Sequence, residues 1–216
     1  MKTQDLNLSA QESNQLIASG NRNVFYESGV FAVNIIGSPG CGKTSILEYT
    51  ANHFDEKFAV IVGDVKTALD ADRIIKSGQK NAYAIETGGG CHLTANMIRE
   101  KAMEIDLKGI DYLFIENVGN LVCPSAFDLG ENLKIAVLSI PEGDEKVRKY
   151  PSLFIRAAAV IINKIDLLGF MDYDIEQVKA DCRAHNSNVK IFETSVKTGK
   201  GFDEFFQYLR DQRKHF

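Results

Sequence analysis

A chain of 216 residues, 44% hydrophobic and 25% charged, has room for one ordinary α/β domain and carries a normal globular balance. Its net charge of −4 offers no large positive field for nucleic-acid phosphates, and no apolar stretch approaches the ~20 residues that a membrane helix needs. The polar run from Met1 to Gly20 has no secretion-signal core, and four widely spaced cysteines make a poor disulfide framework, which together suit a reducing cytoplasm with neither nucleic acid nor membrane as partner.

In chain order, residues 1–28 read as a short N-terminal helical extension. Ser9 is its cap, Glu12 stands three residues later, and Leu16 and Ile17 supply an apolar face. Gly29 breaks the chain before the apolar run 30–36, a buried strand. Strands are then expected at 59–62, 82–86, 112–115, 134–140, 159–162 and 189–192. Helices are expected at 70–76, 94–107, 175–184 and 202–210, with another opening after residue 42. Such alternation over 1–216 predicts a single α/β domain of P-loop NTPase type. Its mostly parallel central sheet carries helices on both faces and ligands at the carboxyl ends of the strands.

The first strand runs into Gly37-Ser38-Pro39-Gly40-Cys41-Gly42-Lys43-Thr44, followed by Ser45, which fits G-x-x-x-x-G-K-[ST]. Strand before and helix after are the context the motif requires. The glycines let backbone N–H groups turn inward around phosphate oxygens, and the helix N-terminus adds positive potential. Lys43 would reach the β- and γ-phosphates, and Thr44 would offer its hydroxyl to Mg²⁺. Asn163-Lys164-Ile165-Asp166 closes a later strand and selects the base. A carboxylate at Asp166 accepts from guanine N1–H and its exocyclic amine, whereas adenine would leave it buried and unpaired, at ~1–3 kcal/mol or more. Ser195-Val196-Lys197, after the next strand, is similar to the small G-protein loop whose backbone reads the guanine oxygen. GTP and GDP are therefore the expected nucleotides, and a GTP hydrolase the expected activity.

Two strand ends supply acids, Asp64 and Glu116, which are expected as magnesium ligands or water-positioning groups beside Lys43. Asp70 and Asp72 follow Asp64. Asp72 is taken as a further magnesium ligand, the alternative being that both acids complement a helix N-terminus. No arginine finger can be named, so hydrolysis is expected to be slow.

Gly88-Gly89-Gly90-Cys91-His92 lies between a strand and a helix, and Cys123 stands seven residues past Glu116. Two thiolates and an imidazole suit Ni²⁺ or Zn²⁺ and not Mg²⁺. Three donors are one short of a closed site, which a symmetric dimer would remedy. On these residues alone, inert buried cysteines and a capping histidine remain an open alternative. Cys41 fills a variable phosphate-loop position, and Cys182 reads as a helix-face residue.

These motifs occur together and in order, with Asp70-Ala71-Asp72-Arg73, Glu116-Asn117-Val118-Gly119-Asn120-Leu121-Val122-Cys123-Pro124, Glu142-Gly143 and Lys149-Tyr150-Pro151. Through them the chain resembles the HypB family, SIMIBI-class GTPases that help insert nickel into [NiFe]-hydrogenase. The resemblance implies a homodimer linked to GTP and metal, with Cys91, His92 and Cys123 at its interface. It also implies a HypA-type nickel metallochaperone as partner and the hydrogenase large subunit as indirect client. The N-terminal C-x-x-C-G-C motif and histidine-rich stretch of some members are absent from the sequence, so nickel storage is not expected. Thr94 stands where an acid is usual, and Val147 where proline is usual. Rival readings are a UreG-like urease maturation GTPase, which would usually carry Cys-Pro-His, and a regulatory GTPase switch with no metal role. An ATP-dependent kinase is disfavoured by Asp166.

Overall fold

The apolar runs and the helical segments alternate through a computed structural model that describes residues 9–65 and 69–216. The order is α1 (Ala10–Glu27), β1 (Phe31–Gly37), α2 (Lys43–His53), β2 (Phe58–Asp64), α3 (Leu69–Lys76), β3 (Ala82–Glu86), α4 (Ala95–Glu104) and β4 (Tyr112–Glu116). There follow α5 (Cys123–Ala126), β5 (Leu133–Ser139), α6 (Lys146–Lys149), α7 (Pro151–Arg156), β6 (Ala159–Asn163), α8 (Ile175–His185), β7 (Lys190–Glu193) and α9 (Phe202–Lys214). Among the described residues the strands form one seven-stranded sheet in the order β3-β2-β4-β1-β5-β6-β7, with every neighbouring pair parallel.

Side chains alternate across that sheet and meet different helices on each face. Val33 and Ile35 of β1 join Ile46 of α2, Ile74 of α3 and Phe205 of α9 on one side. On the other, Ala32 packs with Ile98 of α4 and Phe25 of α1. Ile36 continues that face into a cluster with Phe154 of α7 and Val178 of α8. The expected α/β architecture, a parallel sheet clad on both faces, is what the structure has.

Two details differ from expectation. The helix at α1 begins with the anticipated Ser9–Glu12 capping box, the Ser9 amide donating to Glu12 Oε2 at 2.8 Å. Its buried face, however, is Asn14, Ala18, Asn21 and Phe25, and Leu16 is 64% exposed. The part of the expected extension at 1–8 lies outside the described residues. The short helices α5 and α7 were not anticipated, since four to six residues are too few to show a period. Pro124 and Pro151, at the first turns of α5 and α7, were the available signals. Cys182, read as a helix-face residue, is fully buried in α8.

Candidate functional site

The carboxyl ends of β1, β2 and β4 lie side by side, because β4 sits between the other two strands, and the turn out of β1 is the glycine loop. Gly42 caps α2 at φ +101°, and a Cβ there would stand 2.5 Å from Asn163 Nδ2. Only glycine meets both conditions without strain. Cys41 is buried within this loop, and burial pushes its thiol up to about 11, so it is inert as a ligand. Lys43 folds over the loop, its Nζ donating to the carbonyls of Gly37 and Ser38, each at 3.4 Å.

Beside it, Thr44 Oγ1 donates to Glu116 Oε1 at 2.9 Å. Glu116 is 4% exposed, and its other carboxylate oxygen has no hydrogen-bond partner among the described residues. Burial pushes the Glu116 carboxyl up to about 7, against the pull of the Lys43 charge and the Thr44 hydroxyl. An orphaned carboxylate oxygen next to a threonine hydroxyl is the hard-oxygen donor set that Mg²⁺ takes. Both residues line a cavity of about 380 Å³ that also includes Gly40, Asp64, Asp70 and Arg73. Asp64 Oδ1 accepts from the Val65 amide at 2.6 Å.

Asp72 does not belong with this group. It is exposed on α3 and lies outside the lining of the cavity, where Asp70 stands instead. Residues two apart on a helix point about 200° apart, whereas Asp70 and Arg73, three apart, share a face. Arg73 is tied to Asp70 at 3.0 Å and to Glu48 at 2.8 Å.

The expected base-reading residues surround a second cavity of about 300 Å³, lined by Gly42, Ser45, Asn163, Lys164, Asp166 and Leu167, with Val196 and Lys197. Asn163 braces two loops, donating to the Cys41 carbonyl at 3.1 Å and accepting from Thr194 Oγ1 at 3.2 Å. Lys164 takes a left-handed backbone (φ +60°), and its Nζ donates to the Gly40 carbonyl at 2.6 Å. Asp166 accepts from Ser195 Oγ at 2.6 Å. The Ser195 amide is engaged by the Lys200 carbonyl, and the hydroxyl of the same residue holds the Asp166 carboxylate.

Cys91, His92 and Cys123 come together from the β3–α4 and β4–α5 connections, with their ligand atoms within 4.8 Å of one another. Cys91 Sγ is 3.5 Å from His92 Nδ1, and the His92 ring stacks on Phe127 with centroids 3.9 Å apart. A hydrogen bond shared with Cys123 holds the Cys91 thiol above its ordinary value, and burial holds the His92 imidazole below its own. A neutral imidazole flanked by two thiols, one of them exposed, is a soft, reachable donor set fitted to Ni²⁺ or Zn²⁺.

Residues 31–193 match the nucleotide-binding domain of the CobW/HypB/UreG family. The chain is 41% identical to the hydrogenase/urease maturation factor HypB of Helicobacter hepaticus over 93% of its own length and 84% of that protein's. It is 40% identical to the hydrogenase maturation factor HypB of Escherichia coli K12, over 97% and 72% of the two chains. The crystal structure of HypB from Helicobacter pylori in complex with nickel superposes with a TM-score of 0.90 at 40% identity, over 94% of this chain and 96% of that one. The chain belongs to the HypB family.

Against that HypB frame the two departures have local explanations. Thr94 caps α4, its side chain accepting from the Met97 amide at 3.3 Å, a task that threonine and an acid share. Val147 is fully buried on α6 and packs in the core with Leu153 and Phe154. A residue that motif reading left without a role also stands out. Asn117 is 1% exposed, and its Oδ1 accepts from the amides of Leu93, at 3.1 Å, and Val118, at 3.0 Å. Its Nδ2 donates to Asn34 at 3.2 Å, which in turn reaches Glu131 at 3.1 Å. Asn117 thus joins the loop after Glu116 to the residue after His92. The signal was an asparagine inside the apolar run of β1, since a buried amide must find partners.

Proposed function

We propose that the chain is a GTP-hydrolysing metallochaperone that carries nickel for [NiFe]-hydrogenase maturation. The observation that carries this reading is the cluster of Cys91, His92 and Cys123, joined through Asn117 to the loop that begins at Glu116. The names of the HypB relatives and the nickel complex of the Helicobacter pylori protein support it. Cys91 and His92 are adjacent, which favours this reading over a UreG-like one that would place a proline between them.

In this reading the backbone of residues 37–45 cradles the phosphates, and Lys43 leaves the Gly37 and Ser38 carbonyls for the β- and γ-phosphates. Thr44 and Glu116 hold Mg²⁺, with Asp64 nearby. When bound, the ion withdraws charge from the phosphoryl oxygens. Asp166, oriented by Ser195, takes the guanine N1–H and amine, while Lys164 packs along the base and Val196 and Lys197 close the pocket. Turnover is slow, because Arg73 is tied to Glu48 and Asp70 and no other arginine lines the phosphate cavity among the described residues. Three metal donors among the described residues leave the cluster one ligand short, which supports a homodimer linked to metal and nucleotide. A HypA-type metallochaperone is the direct partner, the hydrogenase large subunit the indirect client, and the cytoplasm the compartment.

The test is a nickel and zinc titration of the purified chain beside Cys91→Ala, with phosphate release from GTP and ATP recorded in parallel. The wild type is expected to bind nickel with thiolate charge-transfer absorbance and to hydrolyse GTP but not ATP. Cys91→Ala should lose the absorbance and keep the hydrolysis. Nickel binding that survives both Cys91→Ala and Cys123→Ala would leave a GTPase switch without this metal role.

A further inference from the structure

The face that α1 buries is half polar, and both of its asparagines reach the backbone of other segments. Asn14 Nδ2 donates to the Asp128 carbonyl at 2.7 Å, while Asn14 Oδ1 accepts from the Ala95 amide at 2.8 Å. Two turns further on, Asn21 Nδ2 donates to the carbonyls of Ala95 at 2.8 Å and Leu129 at 2.9 Å. Arg22 clamps the Asp128 carboxylate at 2.8 and 2.9 Å. Gly130, at φ +92°, lets the chain pass so close that a Cβ there would stand 2.7 Å from the Ala18 carbonyl.

The two segments held in this way are the ones that carry the metal ligands. Ala95 lies three residues beyond His92 and opens α4. Asp128 lies five residues beyond Cys123 and follows Phe127, the ring on which His92 stacks. Asn14 and Asn21 therefore each bond to both ligand-bearing segments at once, through the backbone groups of Ala95, Asp128 and Leu129, so that they set position whatever side chains those segments bear. An apolar residue at 14 would bury as well but would leave the Ala95 amide and the Asp128 carbonyl without this partner.

We propose that α1 is the positioning element of the Cys91–His92–Cys123 cluster and that Asn14, together with Asn21, sets the spacing between its two halves. This rests on the reading that the cluster takes nickel. Groups that orient metal ligands without touching the ion commonly change affinity about 10- to 100-fold when removed.

The test compares nickel affinity, GDP affinity and melting temperature in the full chain for the wild type, Asn14→Ala, Asn14→Asp and Phe25→Leu. Phe25→Leu loosens the same helix nearer its other end, in the core, and leaves the Asn14 hydrogen-bond partners unchanged. Asn14→Ala should weaken nickel binding about tenfold or more with GDP affinity unchanged. Asn14→Asp keeps the acceptor for Ala95 and loses the donor to Asp128, so it should fall between Asn14→Ala and the wild type, and it serves alone if Asn14→Ala does not fold. Phe25→Leu should lower the melting temperature and keep nickel affinity. Wild-type nickel affinity in both Asn14 variants, or an equal loss in Phe25→Leu, would overturn the proposal. A wild-type chain that binds no nickel would instead remove the reading on which it rests.

Discussion

Glu116 ends β4 almost wholly buried, and burial carries its carboxyl from the ordinary 4.5 to about 7. Between those values the native state holds a proton that the unfolded chain has released, so its contribution to stability falls as pH rises. The penalty is absent below about pH 4.5 and complete above about pH 7. Denaturant unfolding of the chain free of nucleotide and metal should therefore show Glu116→Gln gaining on the wild type from pH 5 to pH 8, and levelling above about 7. Parallel profiles would contradict this. Asp166→Ala removes the acceptor pair for guanine and should weaken GDP binding by about tenfold or more while leaving ATP binding as weak as before, read by competition titration. Lys43, Thr44 and Asp166 stood out in the sequence because their motifs hold fixed spacings, and all three line the two cavities. Asp72 was picked out because only the phase of α3 decides which acid faces the cavity, and it is Asp70 that lines it. Asn117 escaped because its partners, Leu93 and Asn34, are distant in sequence and met only through the fold.

At the scale of elements, the long apolar runs were readable and the polar faces were not. Strands β1, β4, β5 and β6 are buried on both sides and read as near-continuous hydrophobic stretches. The buried face of α1 carries Asn14 and Asn21, so a search for apolar periodicity picked out Leu16, on the exposed side. The junction between the glycine loop and α2 is sterically constrained. Gly42→Ala meets both a left-handed backbone and the Asn163 amide 2.5 Å away. It should cost about 1–3 kcal/mol in a denaturant titration and weaken GDP binding, because Asn163 must leave the Cys41 carbonyl. Unchanged stability together with unchanged GDP affinity would show that the loop relaxes without strain.

At the scale of the molecule, the sheet order sets β4 between β1 and β2, which gathers the phosphate loop, Asp64 and Glu116 at one edge of the strands. The connections leaving β3 and β4 then bring Cys91, His92 and Cys123 together, and Asn117 bridges the two regions. Strand–helix alternation foretold that ligands would gather at the carboxyl ends. Which loops would touch one another depended on strand order, and no local pattern carries that. If the Glu116–Cys123 loop shifts when the γ-phosphate is lost, metal affinity must differ between the two nucleotide states, and by linkage metal must change nucleotide affinity by the same factor. The deciding measurement is the nickel dissociation constant of the wild-type chain with GDP and with a non-hydrolysable GTP analogue, with light scattering recorded alongside. A difference of about fivefold or more, lost in Cys91→Ala and accompanied by a change in dimer fraction, is the expected result. Equal nickel affinities in the two nucleotide states would contradict a GTP-gated nickel carrier.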